Sequence, residues 1–442
     1  MIVPRRRLLV VVLFTAVPLL ALAFSETAWS GFAAALFGLL VLLALADAFL
    51  PDSVLEQLEI KSAPVVRMTK GKESVLSLYL QSHLNCRRTL SFGLPLPDSI
   101  LSGQCVQSLE HLSPGICEMQ WNGTPRVRGE FPLRSIYLES ASRLGLWSRR
   151  TSRKLELVIR VYPNLFQEKK VMAALFLNAA GTGIHTRRQL GQGREFEKLR
   201  YYLPGDSYGD IHWKASAKRN SLVTKEFRTE QTQEIYVVLD ASRLSARRAE
   251  SGEEQTIVER FITASLITCL AAEKQGDLFG VLSFSDKVDA FIRAKSGREH
   301  YHCCRDALYH LHPKSVSPDF DELCTFIRLK LRKRALLVFL VNLDDPVTSE
   351  NFIKSIELIS RRHLVLVGMI QDRHIEPMFS MEKLHDTNQL YDNLASHLRW
   401  NELRKVKRIL LRRGVRFSLY PSEGLCLGLV TQYMHIKQRQ LL

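Results

Sequence analysis

Five apolar segments in the second half of the chain alternate with amphipathic stretches of helical length. The segments lie at residues 235–240, 278–284, 335–342, 364–370 and 415–420. Continuous apolar strands separated by helices indicate a mostly parallel sheet that is covered by helices on both faces. We therefore predict a doubly wound α/β domain over residues 234–442.

The region before this domain has a different pattern, with short runs in which apolar and polar residues alternate. SVLSLYLQS and GEFPLRSIYLES are two of these runs, and Pro or Gly interrupts the pattern between them. A two-residue period with frequent turn signals is typical of an antiparallel β-sandwich. We predict a β-sandwich domain over residues 53–165, and residues 166–233 then connect the two domains.

Residues 1–52 contain two long apolar runs. Residues 8–24 carry no charged side chain, and residues 28–50 carry only Asp47. Each run is long enough to cross the hydrocarbon core of a bilayer as an α-helix. The sequence therefore predicts an N-terminal transmembrane helical hairpin.

Charge near the two runs predicts how the hairpin is oriented. Three arginines occupy positions 5–7, whereas the link at residues 25–27 carries no positive charge. By the positive-inside rule, both ends of the hairpin and the remaining chain lie in the cytoplasm. A cleaved signal peptide that ends at Ala23 is the alternative for the first run, and it leaves the second run as the anchor.

Composition agrees with a membrane-associated protein in a reducing compartment. The 442 residues carry a formal net charge of +16, which favours an anionic surface such as membrane lipid as a neighbour. Nucleic acid is not expected, because the apolar N-terminus makes lipid the simpler partner. The eight cysteines form no Cys-x-x-Cys pair, which is typical of free cysteines in the cytoplasm.

The connecting segment contains a Pro-Gly-Asp turn, a lone Trp and alternating basic residues, in the order PGDSYGDIHWKASAK, and it leads into the apolar strand that ends at Asp240. This order resembles the bacterial membrane proteins known as domain of unknown function 58. The residues that carry the resemblance are Arg200, Tyr202, Pro204, Gly205, Asp206, Ile211, Trp213, Lys214, Ala215, Ser216, Ala217, Lys218, Leu222 and Glu230.

The resemblance implies more than the residue patterns do. It identifies residues 166–233 as the signature segment of that family and residues 234–442 as a von Willebrand factor A-like domain. It implies the bacterial inner membrane as the location, with several membrane passes and the soluble region in the cytoplasm. It also implies a partner, because proteins of this family are typically associated with AAA+ ATPases of the MoxR type.

Two interpretations of the signature segment are open. Pro204 and Gly205 suit the central positions of a type II turn, which puts Asp206 near Trp213 and Lys214 on the next strand. In the structural interpretation, a network of ion pairs among Arg200, Asp206, Lys214 and Glu230 holds the segment against the sheet. In the functional interpretation, Trp213 and basic residues such as Lys214 and Lys218 anchor a partner protein.

A second candidate site follows from the resemblance to von Willebrand A-like domains, whose metal site begins D-x-S-x-S. Asp240 and Ser242 match its first two positions, but Leu244 occupies the third and Ser245 comes one residue late. Asn342 replaces the Asp expected after a downstream strand, which weakens attraction for Mg²⁺. Asp344 or Asp345 is the available substitute. We therefore predict a degenerate metal site, with or without bound Mg²⁺.

Two further patterns have simpler explanations. His302, Asp306 and His310 follow one another at intervals of four residues, a spacing that permits zinc binding. The same helix also has an apolar stripe, and burial of that stripe favours a His face that is exposed to solvent. The basic residues between Arg399 and Arg413 form a helix that is either solvated or in contact with anionic lipid or an acidic partner. The sequence contains no nucleophile elbow, Walker A loop or HExxH helix.

These observations favour a non-catalytic, membrane-anchored adaptor or scaffold. Its von Willebrand A-like domain is expected to bind a partner protein, with a MoxR-type AAA+ ATPase implied by the resemblance, in the assembly or maturation of an envelope complex or another protein complex. The alternative is a divalent-metal-dependent enzyme that uses the degenerate site at Asp240.

Overall fold

The computed structural model describes residues 1–24, 30–49, 54–55, 57–82, 89–109, 113–181, 190–228, 233–249, 255–372, 375 and 387–439. The chain divides into two compact units, Met1–Asn164 and Leu165–Leu442. The predicted four-part division, with boundaries at residues 52, 165 and 233, stays a prediction.

The first unit begins with a short strand and a series of helices. These elements are strand β1 (Ile2–Pro4), helix α1 (Arg6–Val11), a π-helical turn (Val12–Ala16), helix α2 (Val17–Ala23) and helix α3 (Ser30–Phe49). Among the described residues, no helix combines the length and the apolar character needed to cross a membrane.

Two antiparallel-rich sheets follow in the first unit. Their strands are β2 (Glu59–Ser62), β3 (Val65–Thr69), β4 (Ser74–Ser82), β5 (Leu90–Gly93), β6 (Ile100–Leu101), β7 (Val106–Leu109), β8 (Gly115–Pro125), β9 (Gly129–Ala141) and β10 (Trp147–Tyr162). One sheet has the order β1-β10-β9-β5-β7 with β3 beside β10, and the other has the order β2-β4-β8-β6. Leu78 and Trp121 from one sheet share a buried core with Phe92 and Ile159 from the other, which makes a β-sandwich.

The loop between β9 and β10 contacts the C-terminal end of α3. The Asp47 carboxylate accepts hydrogen bonds from Ser142 Oγ at 2.6 Å and from the Leu144 backbone N–H at 3.0 Å. Trp147 Nε1 donates to the carbonyl of Ala44 at 2.8 Å. Asp47 is buried, so these bonds satisfy a charge that would otherwise be costly to desolvate.

The same loop also contacts the beginning of the helical region. The Arg5 backbone N–H donates to the carbonyl of Leu146 at 2.9 Å. Strand β1 pairs with the start of β10, with Ile2 opposite Arg149. The residues before α1 and the end of α3 therefore meet at one loop of the sandwich.

The second unit begins with helix α4 (Phe166–Gly181) and a two-stranded sheet of its own. Its strands are β11 (Leu190–Tyr201) and β12 (Val223–Arg228), which pair antiparallel. Helix α5 (Trp213–Arg219) lies between them in the chain. We refer to residues 199–225 as the signature hairpin.

A six-stranded sheet with flanking helices forms the rest of the second unit. In chain order its elements are β13 (Glu234–Asp240), α6 (Ile257–Lys274), β14 (Leu278–Phe284), β15 (Val288–Lys295), α7 (Arg298–Leu308), α8 (Phe320–Lys330), β16 (Leu336–Leu340), α9 (Pro346–Ser360), β17 (Leu364–Ile370), α10 (Thr387–Arg412), β18 (Arg416–Tyr420) and α11 (Leu425–Gln438). Short 3-10 turns occur at Tyr208–Asp210 and Arg243–Ala246.

The large sheet has the order β15-β14-β13-β16-β17-β18, and every pair is parallel except β14 with the edge strand β15. This is the doubly wound, mostly parallel sheet that the alternating pattern predicts. In the sheet, β13 lies between β14 and β16. In the chain, β14 follows β13 first, and β16 comes later on the opposite side. The order of strands therefore reverses between β13 and β16, and their carboxyl ends are where such folds bind ligands.

Alternate residues of β13 enter two separate cores, as the two-residue period of a strand requires. Val237 packs into the core formed with α6 and α11, and Val238 packs into the core formed with α8, α9 and α10. Both side chains are fully buried. Because both faces of the sheet are covered, only the strand ends and the edges remain for a site.

Candidate functional sites

The Pro-Gly-Asp turn of the signature hairpin has the predicted geometry. The Asp206 backbone N–H donates to the carbonyl of Leu203 at 3.1 Å, and Gly205 has a φ of 110°. A positive φ at this position is the requirement of a type II turn, and glycine adopts it without steric penalty. Pro204 occupies the preceding position, where its ring fixes φ.

A bidentate ion pair closes this turn. Arg200 donates to Asp206 Oδ2 at 2.8 Å and to Oδ1 at 2.7 Å, and the Leu203 backbone N–H donates to Oδ2 at 3.0 Å. These hydrogen bonds, with Arg200 the strongest contributor, lower the pKa of Asp206. The carboxylate therefore fixes the end of β11 and the turn in one conformation.

Trp213 and Lys214 lie on helix α5, so the prediction that they lie on a strand is wrong. The helix begins after His212, whose Nδ1 accepts a hydrogen bond from the Ala215 N–H at 3.1 Å, and it ends at Asn220 in the left-handed conformation. The His212 cap at the start and the left-handed Asn220 at the end outweigh the alternating pattern, and the segment becomes helical.

The expected four-residue network is only partly present. Arg200 and Asp206 form the pair described above, but Lys214 and Lys218 are exposed on α5. Glu230 lies outside the described residues. The structural interpretation therefore holds for Arg200 and Asp206, and Lys214 is available to other contacts.

Ser216 is a buried residue of this hairpin whose structural role was not predicted. The Val223 N–H donates to Ser216 Oγ at 2.9 Å, and Ser216 Oγ lies 3.1 Å from the His212 carbonyl, to which it donates. A helical Ser commonly bonds the carbonyl four residues earlier, which is the signal that was available. Here the hydroxyl also joins α5 to β12.

Large apolar side chains of the hairpin are left on the surface. Trp213 is 65% exposed and Tyr208 is 74% exposed. Tyr202 is half-buried, and its ring stacks on that of Tyr208 at a centroid distance of 6.1 Å. Other exposed apolar residues nearby in the chain are Tyr201, Leu203 and Leu222. We call these exposed residues, with Trp213 and Tyr208, the aromatic surface.

The second candidate site lies at the carboxyl end of β13. Asp240 and Ser242 are fully buried. Asp240 Oδ1 accepts the Ser242 backbone N–H at 2.8 Å, but Asp240 Oδ2 and Ser242 Oγ have no hydrogen-bond partner in the described part of the chain. Buried oxygen atoms are nearly always paired, so these two atoms are ones at this edge that are available to a ligand.

Ser245 does not replace the missing third residue of the metal motif. Its hydroxyl donates to the backbone carbonyl of Asp240 at 2.7 Å and is occupied by that bond. Leu244, at the motif position itself, is buried and apolar. The structure thus brings Asp240 and Ser242 together but adds no third ligand from the same loop.

The neighbouring strand β16 contributes the other predicted residues. Asn342 is buried, and its Oδ1 accepts the Asp344 N–H at 3.0 Å. Asp344 Oδ1 is buried and has no hydrogen-bond partner among the described residues. Asp345 instead caps α9, accepting the Thr348 N–H at 3.0 Å. Asp344 and Asp345 are the two candidates to replace the Asp of the metal motif. Of these, Asp344 has a side-chain oxygen that is available to a metal ion.

Burial dominates the electrostatics of this site. It raises the pKa of Asp240 to about 6, against the opposing hydrogen bond from the Ser242 backbone N–H. Burial also raises the pKa of Asp344, while the nearest cation, Arg247, lies 3.9 Å from its Oδ2. Two carboxyl groups with raised pKa values bind a proton more readily than exposed ones do.

A loop from residues 313 to 319 covers the carboxyl ends of β13 and β14. The Lys314 N–H donates to the Ala241 carbonyl at 2.8 Å, and the Asp319 N–H donates to the Ser285 carbonyl at 3.1 Å. Lys314 Nζ also forms an ion pair with Asp289. This covering loop therefore contacts the residue that follows Asp240, which is itself fully buried.

The three unpartnered atoms are of the chemical type that a hard cation prefers. Asp240 Oδ2, Ser242 Oγ and Asp344 Oδ1 are oxygen atoms, the ligand type that Mg²⁺ prefers. By contrast, no group of three or more His, Cys, Asp and Glu side chains is arranged to hold a metal in the described residues. His302, Asp306 and His310 therefore do not form the zinc site that their spacing permits. Arg305 pairs with Asp306 at 2.9 Å.

Comparison with known proteins identifies the region that carries both sites. Residues 198–389 match the family described as "Protein of unknown function DUF58". The uncharacterized protein YeaD of Bacillus subtilis is 24% identical over 174 residues, which is 39% of this chain and 40% of YeaD. The match thus spans less than half the length of that relative.

Structural comparison finds similar proteins at low sequence identity. The conserved hypothetical protein BatB from Bacteroides thetaiotaomicron is 12% identical with a TM-score of 0.30, covering 47% of this chain and 99% of BatB. An aerotolerance-related membrane protein from Bacteroides fragilis is 13% identical with a TM-score of 0.29, covering 46% of this chain and 98% of that protein.

The matched region contains the Pro-Gly-Asp turn, helix α5 and the carboxyl ends of β13 and β16, in agreement with the resemblance of the signature segment. Over residues 198–389, this chain is similar to the DUF58 family.

Proposed function

We propose that this protein is a non-catalytic, membrane-anchored adaptor whose second unit binds a partner protein. The observation that carries the proposal is the aromatic surface. Trp213 and Tyr208 stay exposed on a hairpin whose turn is fixed by the Arg200–Asp206 pair. Rigid, exposed aromatic side chains are the residues that most often dominate binding at protein interfaces.

The rigidity of the hairpin supports a binding role over a purely structural one. A segment that only stabilised the fold would bury its Trp, because a buried aromatic contributes more stability than an exposed one. Here the polar groups hold the backbone, and the apolar groups face solvent. Lys214 and Lys218 lie on the same helix as Trp213, and they add positive charge beside the aromatic surface.

Membrane anchoring by residues 1–52 is part of the proposal. Its support is the charge pattern of the sequence together with the contacts of the sandwich loop, which touches Arg5 before α1 and Asp47 at the end of α3. Two ends that meet at one loop fit a hairpin that leaves and returns on the same side of a bilayer. With arginines at positions 5–7, that side is the cytoplasm.

The resemblance implies that the partner is a MoxR-type AAA+ ATPase, in the assembly or maturation of an envelope complex or another protein complex. The test is capture of partners by the detergent-solubilised full chain from its native cells, followed by mass spectrometry. Capture of an AAA+ ATPase that is lost in Trp213→Ala supports the proposal. The matched control is Tyr137→Ala, because Tyr137 is also exposed but lies on the sandwich.

Two results would reject this proposal. One is that no ATPase is captured by the unaltered protein. The other is that Trp213→Ala captures as much ATPase as Tyr137→Ala does, which would remove the aromatic surface from the interface.

A divalent-metal-dependent activity is the second candidate, and the unpartnered oxygens of Asp240 and Ser242 favour it. Those atoms, with Asp344, would hold Mg²⁺, and a bound ion would supply a positive charge able to polarise a substrate oxygen. Titration calorimetry with Mg²⁺ on the full chain and on Asp240→Asn tests it. Absence of binding to the unaltered chain removes this candidate.

A further inference from the structure

Helix α10 carries an apolar stripe whose side chains are partly exposed. In its C-terminal half, Leu403 and Leu410 are buried against the large sheet. In its N-terminal half, Leu390, Leu394 and Leu398 recur every fourth residue and are 40%, 42% and 57% exposed. This spacing places the three leucines along one side of the helix.

The leucine stripe continues into a groove between α9 and α10. The groove has a volume of about 490 Å³, and Leu343, Ile353 and Val406 line it. Ile409 also lines it and is 40% exposed. Ile409 is eleven residues after Leu398, so the two side chains project within about 20° of each other around the helix axis.

Stripe and groove lie along the same side of α10, with Glu402 and Lys405 between Leu398 and Ile409. From Leu390 to Ile409 the helix rises by roughly 28 Å at about 1.5 Å per residue. That length suits a helical segment of about 19 residues packed alongside α10. We call this the α10 surface.

Charge beside the α10 surface indicates which kind of helix it accepts. Lys405, Arg408 and Arg412 are exposed on α10, and none of them forms an ion pair within the described residues. They project within about 80° of Leu398 around the helix axis.

Acidic residues on the opposite wall are already paired. Glu350 pairs with Lys354 at 2.8 Å, and Glu357 pairs with Arg361 at 3.2 Å and with Arg413 at 3.0 Å. Glu402 also lines the groove, but the exposed Lys405, Arg408 and Arg412 outnumber it, so the net charge along the surface is positive. A second copy of α10 would bring more positive charge, whereas an acidic helix would neutralise it.

We propose that the α10 surface binds an amphipathic helix of a partner protein, one that carries acidic residues beside its apolar face. The proposal rests on the proposed partner-binding function but uses a surface different from the aromatic surface. Leu394 and Leu398 are the apolar anchors, and Lys405 and Arg408 select for acidic charge.

The probe is a designed pair of labelled 20-residue helical peptides with the same leucine positions. One peptide has Glu beside the leucines, and the other has Lys at the same positions. Fluorescence anisotropy with the full chain in neutral detergent measures both affinities. We expect the Glu peptide to bind at least about tenfold more tightly than the Lys peptide, with the difference decreasing as salt is added.

Three variants locate the binding. Leu398→Glu and Lys405→Glu are each expected to weaken the Glu peptide by about tenfold, because they add like charge at the anchor and at the selecting residue. Leu411→Glu is the matched control. Leu411 is 65% exposed on the same helix but projects about 140° away from Leu398.

Several outcomes overturn the proposal. They are equal affinity for the two peptides, no affinity for either peptide, and equal weakening by Leu411→Glu and Leu398→Glu. Another is that Leu398→Glu reduces binding to phosphatidylglycerol vesicles but leaves peptide affinity unchanged, which would make the surface a lipid contact. Trp213→Ala separates this proposal from the proposed function, because it is expected to lose ATPase capture while keeping peptide affinity.

Discussion

The signature hairpin and the carboxyl edge of the large sheet differ in which groups they leave unsatisfied. In the hairpin, Arg200 and Asp206 are paired, and the aromatic side chains face solvent. At the sheet edge, apolar groups are buried, and the oxygens of Asp240 and Ser242 lack partners.

The difference indicates two kinds of ligand. An exposed apolar surface gains free energy by losing water, which a second macromolecule provides. A buried, unpaired oxygen gains free energy from a proton, a cation or a hydrogen-bond donor small enough to enter. The hairpin therefore suits a protein, and the sheet edge suits an ion or a small polar group.

The largest effect is expected from Asp240→Asn in the absence of divalent metal. With a folded pKa of about 6 and an ordinary value of 3.8, Asp240 binds its proton more tightly in the folded state. Stability therefore falls as the pH rises from 3.8 to 6, and the loss is complete at pH 7. Removing this group should raise the free energy of unfolding at pH 7 by up to about 3 kcal/mol.

Denaturant titration at pH 7 and at pH 4 in EDTA measures this effect, which should shrink at the lower pH. If the edge holds Mg²⁺, repeating the titration with the ion should reverse the sign, because Asp240→Asn then removes a ligand. Destabilisation in EDTA at pH 7 would contradict the view that Asp240 is an uncompensated buried charge.

His363 provides a buried, unpartnered group that lies outside both sites. Neither ring nitrogen has a hydrogen-bond partner among the described residues, and burial lowers the pKa of His363 to about 4. The unfolded chain therefore gains the proton first as the pH falls below 6.5. His363→Leu should raise stability at pH 5 by about 1 to 2 kcal/mol relative to its effect at pH 8.

Urea titrations at the two pH values measure the difference. If the effect of His363→Leu on stability is the same at both pH values, then a buried ring without hydrogen-bond partners does not by itself lower the pKa of its imidazole. The unpartnered oxygen of Asp240 would then no longer support a ligand at the sheet edge, and the support would come from the unpartnered oxygens of Ser242 and Asp344 alone.

A smaller, local effect is expected from Asp206→Asn in the hairpin. The substitution removes the charge that pairs with Arg200, so the turn should open more often. We expect hydrogen exchange at the Tyr202 and Val223 amides to accelerate by about tenfold. Asp210→Asn, in the same segment, is the control and should leave both rates unchanged.

The smallest effect is expected from Lys214→Ala. Since Lys214 is exposed and does not join the Arg200–Asp206 pair, the melting temperature should change by less than about 2 °C. A larger drop, measured by differential scanning fluorimetry, would restore the four-residue network and weaken the contrast between the two regions.

The sequence predicted the large sheet well because its strands are buried on both faces. Such strands are continuous apolar runs, and the predicted segments 278–284 and 364–370 coincide with β14 and β17. The strand β1 at Ile2–Pro4 was not predicted, since a three-residue strand is defined by its partner β10 and not by its own pattern.

The sites were predicted less completely. Asp240, Ser242 and Asn342 do meet at one edge, because adjacent parallel strands place their carboxyl ends together. Helix α5 was missed, because its start depends on the His212 cap and its end on the Asn220 conformation. The contact of the loop at residues 313–319 with the carboxyl end of β13 was also not predicted. It is made by backbone hydrogen bonds between distant segments, and such bonds do not depend on the type of side chain.

The covering loop has a kinetic consequence for whatever reaches Asp240. For an ion or donor that enters from the side of this loop, the contacts of Lys314 and Asp319 have to break before it reaches Asp240. Association is then gated by an opening step within the protein. Its observed rate should rise with ligand concentration at first and then level off at the opening rate, so that slow binding and slow release occur together at this edge.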